Sequence, residues 1–402
     1  MVTLRALEYI LGFILVPYMI RTLGPMNFGM IAFMQGIMEY FKTCVDYGFS
    51  LTAPKAIAQA EESEHASLFA TFFWSKIGIA VIVTLAFFLL CLVLYGIFEI
   101  TLDILLFVAM YAGIIGNLLF PIWFFQGIQQ MRYITILNMC GRIFTTLSIF
   151  VLVKDPSDYI LAAFLQSCTP LLAGILSMQW IIKRYDGMFK LPSWGTLKRV
   201  YREGWPIFLS SLAYNLYTAS NVIVLGMFAE ATIVGYYSAA DKLISCVRRG
   251  ISAVNDAVYP FISRLMKEDV QKGILFLKKQ LRVYLVAGTI GCSILYFFAE
   301  PLILLILGSG YETTIEVFKI FAFIPLVVAL SCIFGGETML PLNMYKVYSS
   351  ILVGAAIFSL LLIFPMSYYY QAEGAAYTML MTESLIMVVM GYVLWKRRIL
   401  LR

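Results

Sequence analysis

The chain has 402 residues, of which 61% are apolar and only 13% charged, whereas an average soluble domain is about 45–50% apolar. This composition excludes a soluble globular domain, a disordered protein and a nucleic-acid-binding protein, and it indicates a polytopic membrane protein. The net charge is +6, and its distribution along the chain decides what it means.

Twelve apolar stretches, separated by polar or Pro/Gly breaks, have the length expected of membrane spans. We predict them at residues 4–20, 28–50, 70–97, 102–125, 134–153, 159–182, 205–228, 233–258, 281–307, 314–335, 347–369 and 374–395. The predicted fold class is an all-α membrane protein with two six-helix lobes around a central cavity. The expected boundaries are 1–182 for the N-terminal lobe, 183–204 for a cytoplasmic linker and 205–402 for the C-terminal lobe.

The basic residues of the loops predict the orientation. If both termini are cytoplasmic, twenty Lys and Arg lie in inside segments, against only Arg21 and Lys154 outside. The positive-inside rule therefore favours an even number of spans with both ends in the cytoplasm. The long basic loops 183–204 and 263–280 contain stretches typical of interfacial helices, at 197–202 and 270–282.

An internal repeat appears when the second half of the chain is laid over the first. The shift that aligns Gly29 with Gly235 also aligns Lys42 with Arg248, Pro54 with Pro260 and Lys76 with Arg282. Six spans followed by six in the same orientation predict two bundles with a substrate path between them, as in transporters built from parallel repeats.

Seven cations remain inside the spans, where ionisable groups are costly and usually face a bundle interior or a wet cavity. They are Lys42, Lys76, Arg142, Lys242, Arg248, Arg249 and Lys319. Two spans carry matching polar stripes at the spacing i, i+4, i+7 and i+11, which lies on one helical face. The stripes are Gln35, Glu39, Lys42 and Asp46 in the second span and Asp241, Ser245, Arg248 and Ser252 in the eighth.

Each of these charges also has a plain structural interpretation. The second-span stripe could be a self-neutralising network that holds helices together, and Arg142 could pair with an acid such as Glu39. Adjacent Arg248 and Arg249 diverge by about 100° around a helix, so at most one faces a cavity squarely. Lys76 and Lys319 lie nearer span ends, where snorkelling to the interface is expected.

Other residue types indicate neither catalysis nor metal binding. The seven cysteines lie in apolar stretches with no CxxC pair and the only histidine is His65, so we expect no disulfide framework, metal site, cofactor or enzyme activity. Tyrosines cluster at span ends, where an aromatic belt is expected. These clusters are Tyr214 with Tyr217, Tyr236 with Tyr237, and Tyr368 to Tyr370.

Several motifs resemble the Wzx family of O-antigen and polysaccharide flippases, in the multidrug/oligosaccharidyl-lipid/polysaccharide exporter (MOP) superfamily that includes the MATE transporters. They are Arg21-Thr22-Leu23-Gly24-Pro25 with Phe28-Gly29, Trp123-Phe124-Phe125-Gln126-Gly127, Gly204-Trp205-Pro206-Ile207-Phe208-Leu209 with Tyr217 and Asn221, Val234-Gly235-Tyr236-Tyr237-Ser238-Ala239-Ala240-Asp241-Lys242, and Tyr259-Pro260 with Ser263. Compared with the family, the lead-in before Pro17 is short, which suggests a truncated start.

The resemblance implies two lobes that rock to pass an undecaprenyl-diphosphate-linked oligosaccharide from the cytoplasmic to the periplasmic leaflet of the bacterial inner membrane, coupled to an ion gradient. Arg142 and Arg248, supported by Lys42 and Arg249, are the candidates for binding the diphosphate or acidic sugars. The coupling candidates are Glu39, Asp46 and Asp241. The expected partners are this substrate and membrane lipids, with a polysaccharide polymerase and chain-length machinery as further candidates, and no nucleic acid.

Three alternatives stay open. A cation or drug exporter of the superfamily would keep a dominant acid in an apolar cavity. A lipid II flippase resembles a fourteen-span plan. A membrane polysaccharide polymerase needs a sizeable periplasmic loop, and the outside loops here have only the length of plain connections.

Overall fold

A computed structural model of the chain describes residues 2–98, 103–185 and 187–399, and within these ranges all regular structure is helical. The α-helices are α1 (Val2–Asp46), α2 (Phe49–Ala58), α3 (His65–Phe98), α4 (Ile104–Leu119), α5 (Ile122–Gly127), α6 (Met131–Leu152), α7 (Tyr159–Arg184), α8 (Trp194–Thr218), α9 (Ser220–Phe228), α10 (Ala231–Glu268), α11 (Val270–Phe297), α12 (Ala299–Leu307), α13 (Glu312–Phe321), α14 (Ile324–Ser331) and α15 (Tyr345–Lys396). A π-helix, Cys332–Met339, continues α14.

Two of the helices are long enough for two membrane crossings, and each has a break inside it. At 1.5 Å per residue the 52 residues of α15 would extend about 78 Å, more than twice the roughly 30 Å hydrocarbon core. Its backbone breaks at Gln371 (φ 46°, ψ −123°), and α1 breaks at Gly24 (φ 73°, ψ 168°). Each break falls between two predicted spans, so both helices divide into two segments.

By length and composition, seven described helical segments can cross a membrane, or eight if α8 and α9, which meet at a 45° bend, form one span. Helix α10 lies outside this set, and Asp241, Lys242, Arg248 and Arg249 all fall within it. Within the described residues the predicted spans lie almost entirely in helices, several of them as two consecutive segments, and this confirms an all-α polytopic fold. Of the basic residues used to predict the orientation, Arg402 lies outside the described residues.

The two stretches expected to be interfacial helices are continuous with the helices that follow them. Residues 197–202 form the first turns of α8, and residues 270–282 form the first half of α11. No proline lies within either basic stretch, and each backbone stays helical into the apolar residues that follow. The N-terminus of α11 is capped by Asp269, whose carboxylate accepts hydrogen bonds from the backbone N–H groups of Gln271 and Lys272.

The described chain forms two compact units. Of the described residues, the first comprises those up to 15 and those from 34 to 215, and the second comprises those from 16 to 33 and from 216 onwards. The middle of α1 therefore packs with the C-terminal helices, where the Tyr311 hydroxyl donates to the Ile20 carbonyl (3.0 Å) and Arg21 donates to the Leu305 carbonyl. The lobe boundaries expected from the sequence stay a prediction.

The first unit has a core rich in aromatic rings. Phe69 stacks on Trp123 with ring centroids 5.4 Å apart, and Phe124 meets Phe69 edge to face at 5.3 Å. All three rings are buried. Such ring pairs add stabilisation beyond the apolar area they bury, and they hold α3 against the α4–α5 segment.

In the second unit, α1 and α10 cross at Gly29 and Gly235, the two glycines that the repeat aligns with each other. A β-carbon on Gly29 would lie 1.8 Å from the carbonyl oxygen of Ala231, and one on Gly235 would lie 1.8 Å from that of Pro25. The same shift aligns Pro25 with Ala231, so the contact is symmetric with respect to the repeat. Only glycine permits backbones to approach this closely.

Candidate functional site

In the first unit, the polar stripe of α1 does not form one continuous network. Lys42 and Glu39 form an ion pair of 3.8 Å, with about half of each side chain exposed. Gln35 donates from its amide to the Gln166 side-chain oxygen at 3.1 Å. Asp46, at the end of the same stripe, is bound to a different helix. The interpretation of a self-contained Glu39/Lys42/Asp46 network is therefore wrong.

Asp46 forms an ion pair with Lys76 of α3, in which the lysine is buried and the carboxylate is 30% exposed. The Lys76 ammonium lies 2.6 Å from Asp46 Oδ1, and its side chain is only 3% exposed. The side-chain amide of Asn117 also donates to Asp46 Oδ1, at 3.4 Å. Snorkelling was the expected behaviour of Lys76, and this prediction is wrong because a carboxylate within reach stabilises the ammonium inside the unit.

Arg142 lies at the middle of α6 and is half-buried, with its Nε atom withdrawn from solvent. A β-carbon on Gly12 of α1 would lie 3.2 Å from one of its terminal nitrogens. The guanidinium therefore extends from α6 towards the first turns of α1. One turn further along α6, the Thr145 hydroxyl hydrogen-bonds that of Thr169 at 2.7 Å, which joins α6 to α7.

In the second unit, Arg248 and Arg249 diverge around α10 as their adjacency requires. Arg249 is exposed, whereas Arg248 is half-buried with its Nη1 atom shielded from solvent. Arg248 acts electrostatically on Glu383 and on Tyr237. Of the two arginines, Arg248 therefore faces the interior of this unit.

The residues around Arg248 form a polar interior, of which the sequence pattern indicated Arg248 and Asp241 but not the other members. Tyr237 is 1% exposed although we expected it in an aromatic belt, and Asn221 beside it is fully buried. Asp241, one turn after Tyr237 on α10, is half-buried and acts on the same hydroxyl. Glu383 of α15 is 9% exposed. Glu383 could have been predicted from the sequence, because an acidic residue inside predicted span 374–395 is as unusual as a cationic one.

Two further charged residues, Lys319 and Glu337, lie within or just after the tenth predicted span. Lys319 forms an ion pair of 2.9 Å with Glu316, one turn earlier on α13, on an exposed face. Glu337 follows predicted span 314–335, which places it in a loop, yet it is 2% exposed and lies within the π-helix. Among the residues that the structure describes, no three His, Cys, Asp or Glu side chains are grouped to hold a metal ion.

The chain is similar in sequence to a known protein family and to two named proteins. Residues 1–266 match the family described as polysaccharide biosynthesis protein. The chain is 33% identical over 386 residues to an Escherichia coli (strain K12) protein named "Putative O-antigen transporter", which covers 95% of this chain and 92% of that protein. A Shigella dysenteriae protein of the same name is 29% identical over 388 residues, with 95% of each chain covered.

Solved structures share the fold at low sequence identity. The inward closed conformation of the lipid II flippase MurJ superposes with a TM-score of 0.75 at 12% identity, covering 98% of this chain and 87% of that one. The bent form of the Vibrio cholerae MATE transporter VcmN gives a TM-score of 0.55 at 15% identity, covering 98% and 93%. These likenesses establish the transporter fold expected from the sequence. The relatives are transporters and flippases, in agreement with a chain that is not an enzyme.

Proposed function

Because the chain belongs to the polysaccharide biosynthesis protein family, we propose that it is a flippase for lipid-linked O-antigen or polysaccharide repeat units. The substrate would be an oligosaccharide on undecaprenyl diphosphate, moved from the cytoplasmic to the periplasmic leaflet of a bacterial inner membrane. Similarity over 95% of the chain to a protein named as an O-antigen transporter supports this function.

The structural observation that carries the proposal is an arginine near the centre of a long helix in each unit. Arg142 lies in the middle of α6 and Arg248 in the middle of α10, and each is half-buried. A diphosphate that leaves water needs cations for partial neutralisation, and the fork of a guanidinium can bind two of its oxygens at once. We assign headgroup binding to these two residues, with the exposed Lys42 and Arg249 in support.

Ion coupling is a second part of the proposal. Glu39, Asp46 and Asp241 are the candidates from the sequence, and their surroundings distinguish them. Glu39 and Asp46 each have a lysine partner within 4 Å, so each already has a cation beside it. Asp241 faces the buried hydroxyl of Tyr237 instead. Of the three, Asp241 is therefore the best placed to exchange a proton or cation.

Complementation tests this function directly. The chain would be expressed in strains that each lack one defined O-antigen flippase, and surface O-antigen would be measured by gel electrophoresis and antibody staining. Restored O-antigen in at least one strain is the expected result. Full-length membrane-inserted protein that restores none, in strains of matched repeat units, would contradict the proposal. A polysaccharide polymerase and chain-length machinery would act on the same product as partners.

Arg142→Ala should abolish transport at wild-type abundance, because it removes the charge that meets the headgroup. Arg142→Lys should retain part of the activity, since the charge survives and only the two-pronged hydrogen bonding is lost. The measurement is complementation scored against the amount of membrane-inserted protein. Arg132, exposed at the start of α6, provides the matched control, and Arg132→Ala should transport normally.

Two outcomes would remove Arg142 from the substrate path. If Arg142→Ala and wild type transport equally at equal abundance, the headgroup does not need this charge. If both Arg142 variants lose abundance together, the residue holds helices in place.

The proposed orientation predicts that Ser193 faces the cytoplasm. Ser193 is exposed in the basic segment before α8, and Ser157 is exposed in the short turn before α7, on the opposite side. In a cysteine-free variant, a cysteine at 193 should react with an impermeant maleimide only after permeabilisation. A cysteine at 157 should react in intact cells. The reverse pattern would overturn the orientation.

A further inference from the structure

Glu337 is a buried acid at an irregular point of the second unit. It is 2% exposed and lies in the π-helix Cys332–Met339. π-Helical turns are rare and often occur at functional sites. Here the wider turn directs the Thr338 hydroxyl to the Ile333 carbonyl, a full π-turn earlier, at 2.7 Å.

The surroundings of Glu337 are polar but not satisfied. Within the described residues, neither of its carboxylate oxygens has a hydrogen-bond partner of standard geometry, and the same holds for both side-chain polar atoms of Gln280. Gln280 and Tyr284, one turn apart on α11, both lie beside the carboxyl. The Tyr284 hydroxyl donates to Asn255 Oδ1 of α10 at 2.8 Å. The amide nitrogen of Asn255 is buried and has no described partner.

No cation balances this carboxyl among the residues that the structure describes around it. The side chains that face it are the neutral Gln280 and Tyr284 of α11. Cys332, at the start of the π-helix, lies close to Tyr284. From α15, Tyr348 and Met390 pack on neighbouring Gly335. None of the four described ion pairs includes Glu337.

An ionised carboxylate in such a place is costly, so it has to be neutralised by a bound charge. The Gln280 amide can donate or accept, and the Tyr284 oxygen, whose proton is donated to Asn255, can still accept, as that charge arrives and leaves. A purely structural acid would have fixed partners, as Asp46 has in Lys76 and Asn117. Gln280 interacts with both Glu337 and Tyr284, but Glu337, Gln280 and the Asn255 amide lack hydrogen bonds of standard geometry. Buried groups of this kind fit a site that takes up a bound ion.

We propose that Glu337, with Gln280 and Tyr284, binds one monovalent cation, either H⁺ or Na⁺. The site lies towards the end of the unit where α10 leads into α11, since Gln280 belongs to the first half of α11. This inference rests on the proposed function in one respect, because the bound cation would supply the coupling of transport to an ion gradient. Cation binding itself is independent of the substrate.

Infrared titration of the purified full-length protein tests the site without transport. The carbonyl stretch of a protonated carboxyl is followed between about pH 5 and pH 9, in wild type and in Glu337→Gln. We expect a band that weakens as pH rises, by about tenfold in protonated fraction per pH unit above its midpoint, and that is absent from Glu337→Gln. Glu316→Gln is the matched control, since Glu316 is exposed and paired with Lys319 in the same span.

Sodium distinguishes the two cations. If the site takes Na⁺, adding NaCl at constant pH should weaken the band, whereas the same concentration of choline chloride should not. If it takes H⁺ alone, both salts leave the band unchanged. Titrations of wild type and Glu337→Gln that are identical at every pH, with both proteins folded, would overturn the proposal. A band of constant strength across the whole range would do the same, because it indicates a fixed hydrogen-bond donor.

Complementation separates this inference from the proposed function. Glu337→Gln should lose most O-antigen transport at wild-type abundance, whereas Glu316→Gln should retain it. If wild type transports but Glu337 does not titrate, the cation site is wrong and the flippase stands. If Glu337 titrates but no strain is complemented, the flippase assignment fails and the cation site stands.

Discussion

Gly235→Ala should prevent the second unit from folding stably. The added methyl group would lie 1.8 Å from the Pro25 carbonyl oxygen, about half of a normal contact distance. Since the nearest neighbours are backbone atoms, no side chain can turn aside, and α1 and α10 have to separate. The loss in the free energy of unfolding should therefore be larger than that of a typical overpacked core, which is about 1–3 kcal/mol. Gly29→Ala, at the other side of the crossing, should act alike.

Membrane abundance and the thermal unfolding midpoint of the purified protein measure this effect. Gly250→Ala is the matched control, because Gly250 lies on the same helix and a β-carbon there would meet nothing within 4 Å. At this position alanine should be neutral or should stabilise by up to about 1 kcal/mol through its helix propensity. Equal unfolding midpoints for Gly235→Ala and wild type would show that the helices do not meet at this residue.

Lys76→Met should strongly destabilise the first unit. It removes the ammonium that lies 2.6 Å from Asp46 and leaves that carboxylate without its charged partner. Breaking a fully buried pair from one side typically costs about 3–5 kcal/mol, whereas replacing both partners by apolar residues is often neutral. Because the Asp46 side chain is 30% exposed, the cost here should lie below that range. The double variant Lys76→Met with Asp46→Leu should therefore recover most of the lost stability.

The exposed pair of Lys42 and Glu39 provides the control. With about half of each side chain accessible, Lys42→Met should change the free energy of unfolding by no more than about 1 kcal/mol. Chemical or thermal unfolding of all three variants beside wild type gives the comparison. A Lys76→Met protein as stable as Lys42→Met would contradict the pair of Lys76 and Asp46, and so would a double variant weaker than Lys76→Met alone.

The helical fold could be predicted from the sequence because a chain that crosses the lipid bilayer has to satisfy its backbone hydrogen bonds internally. A span needs about 20 apolar residues and an internally bonded backbone, so the apolar stretches fold as helices, several of them as two consecutive segments. Helix ends were harder to predict. The basic residues at 197–202 and 270–282 suit an interfacial helix and equally suit the first turns of a long one, and only the packed structure distinguishes these cases.

The candidate site was predicted less completely, because the spacing of residues within one helix does not show which side chains of other helices they pair with. Nothing near Lys76 in the sequence indicates Asp46, which lies on another helix, so snorkelling was the simpler expectation. Glu337 was missed for a related reason. The hydropathy pattern ended its span at residue 335, while the π-helix extends the helical chain to Met339. Divergence of Arg248 and Arg249, in contrast, follows from helix geometry alone and was predicted.

The crossing of α1 and α10 also has a consequence for how the two halves of the chain can vary. Pro25 faces Gly235 as Ala231 faces Gly29, which is the isologous arrangement that two copies of one half would make about a two-fold axis. In a pair of identical copies every substitution alters both sides together. In a single chain each side changes alone. The backbone contact still requires glycine at both positions, whereas the polar stripe is free to differ, with Glu39 and Asp46 in one half and Ser245 and Ser252 in the other.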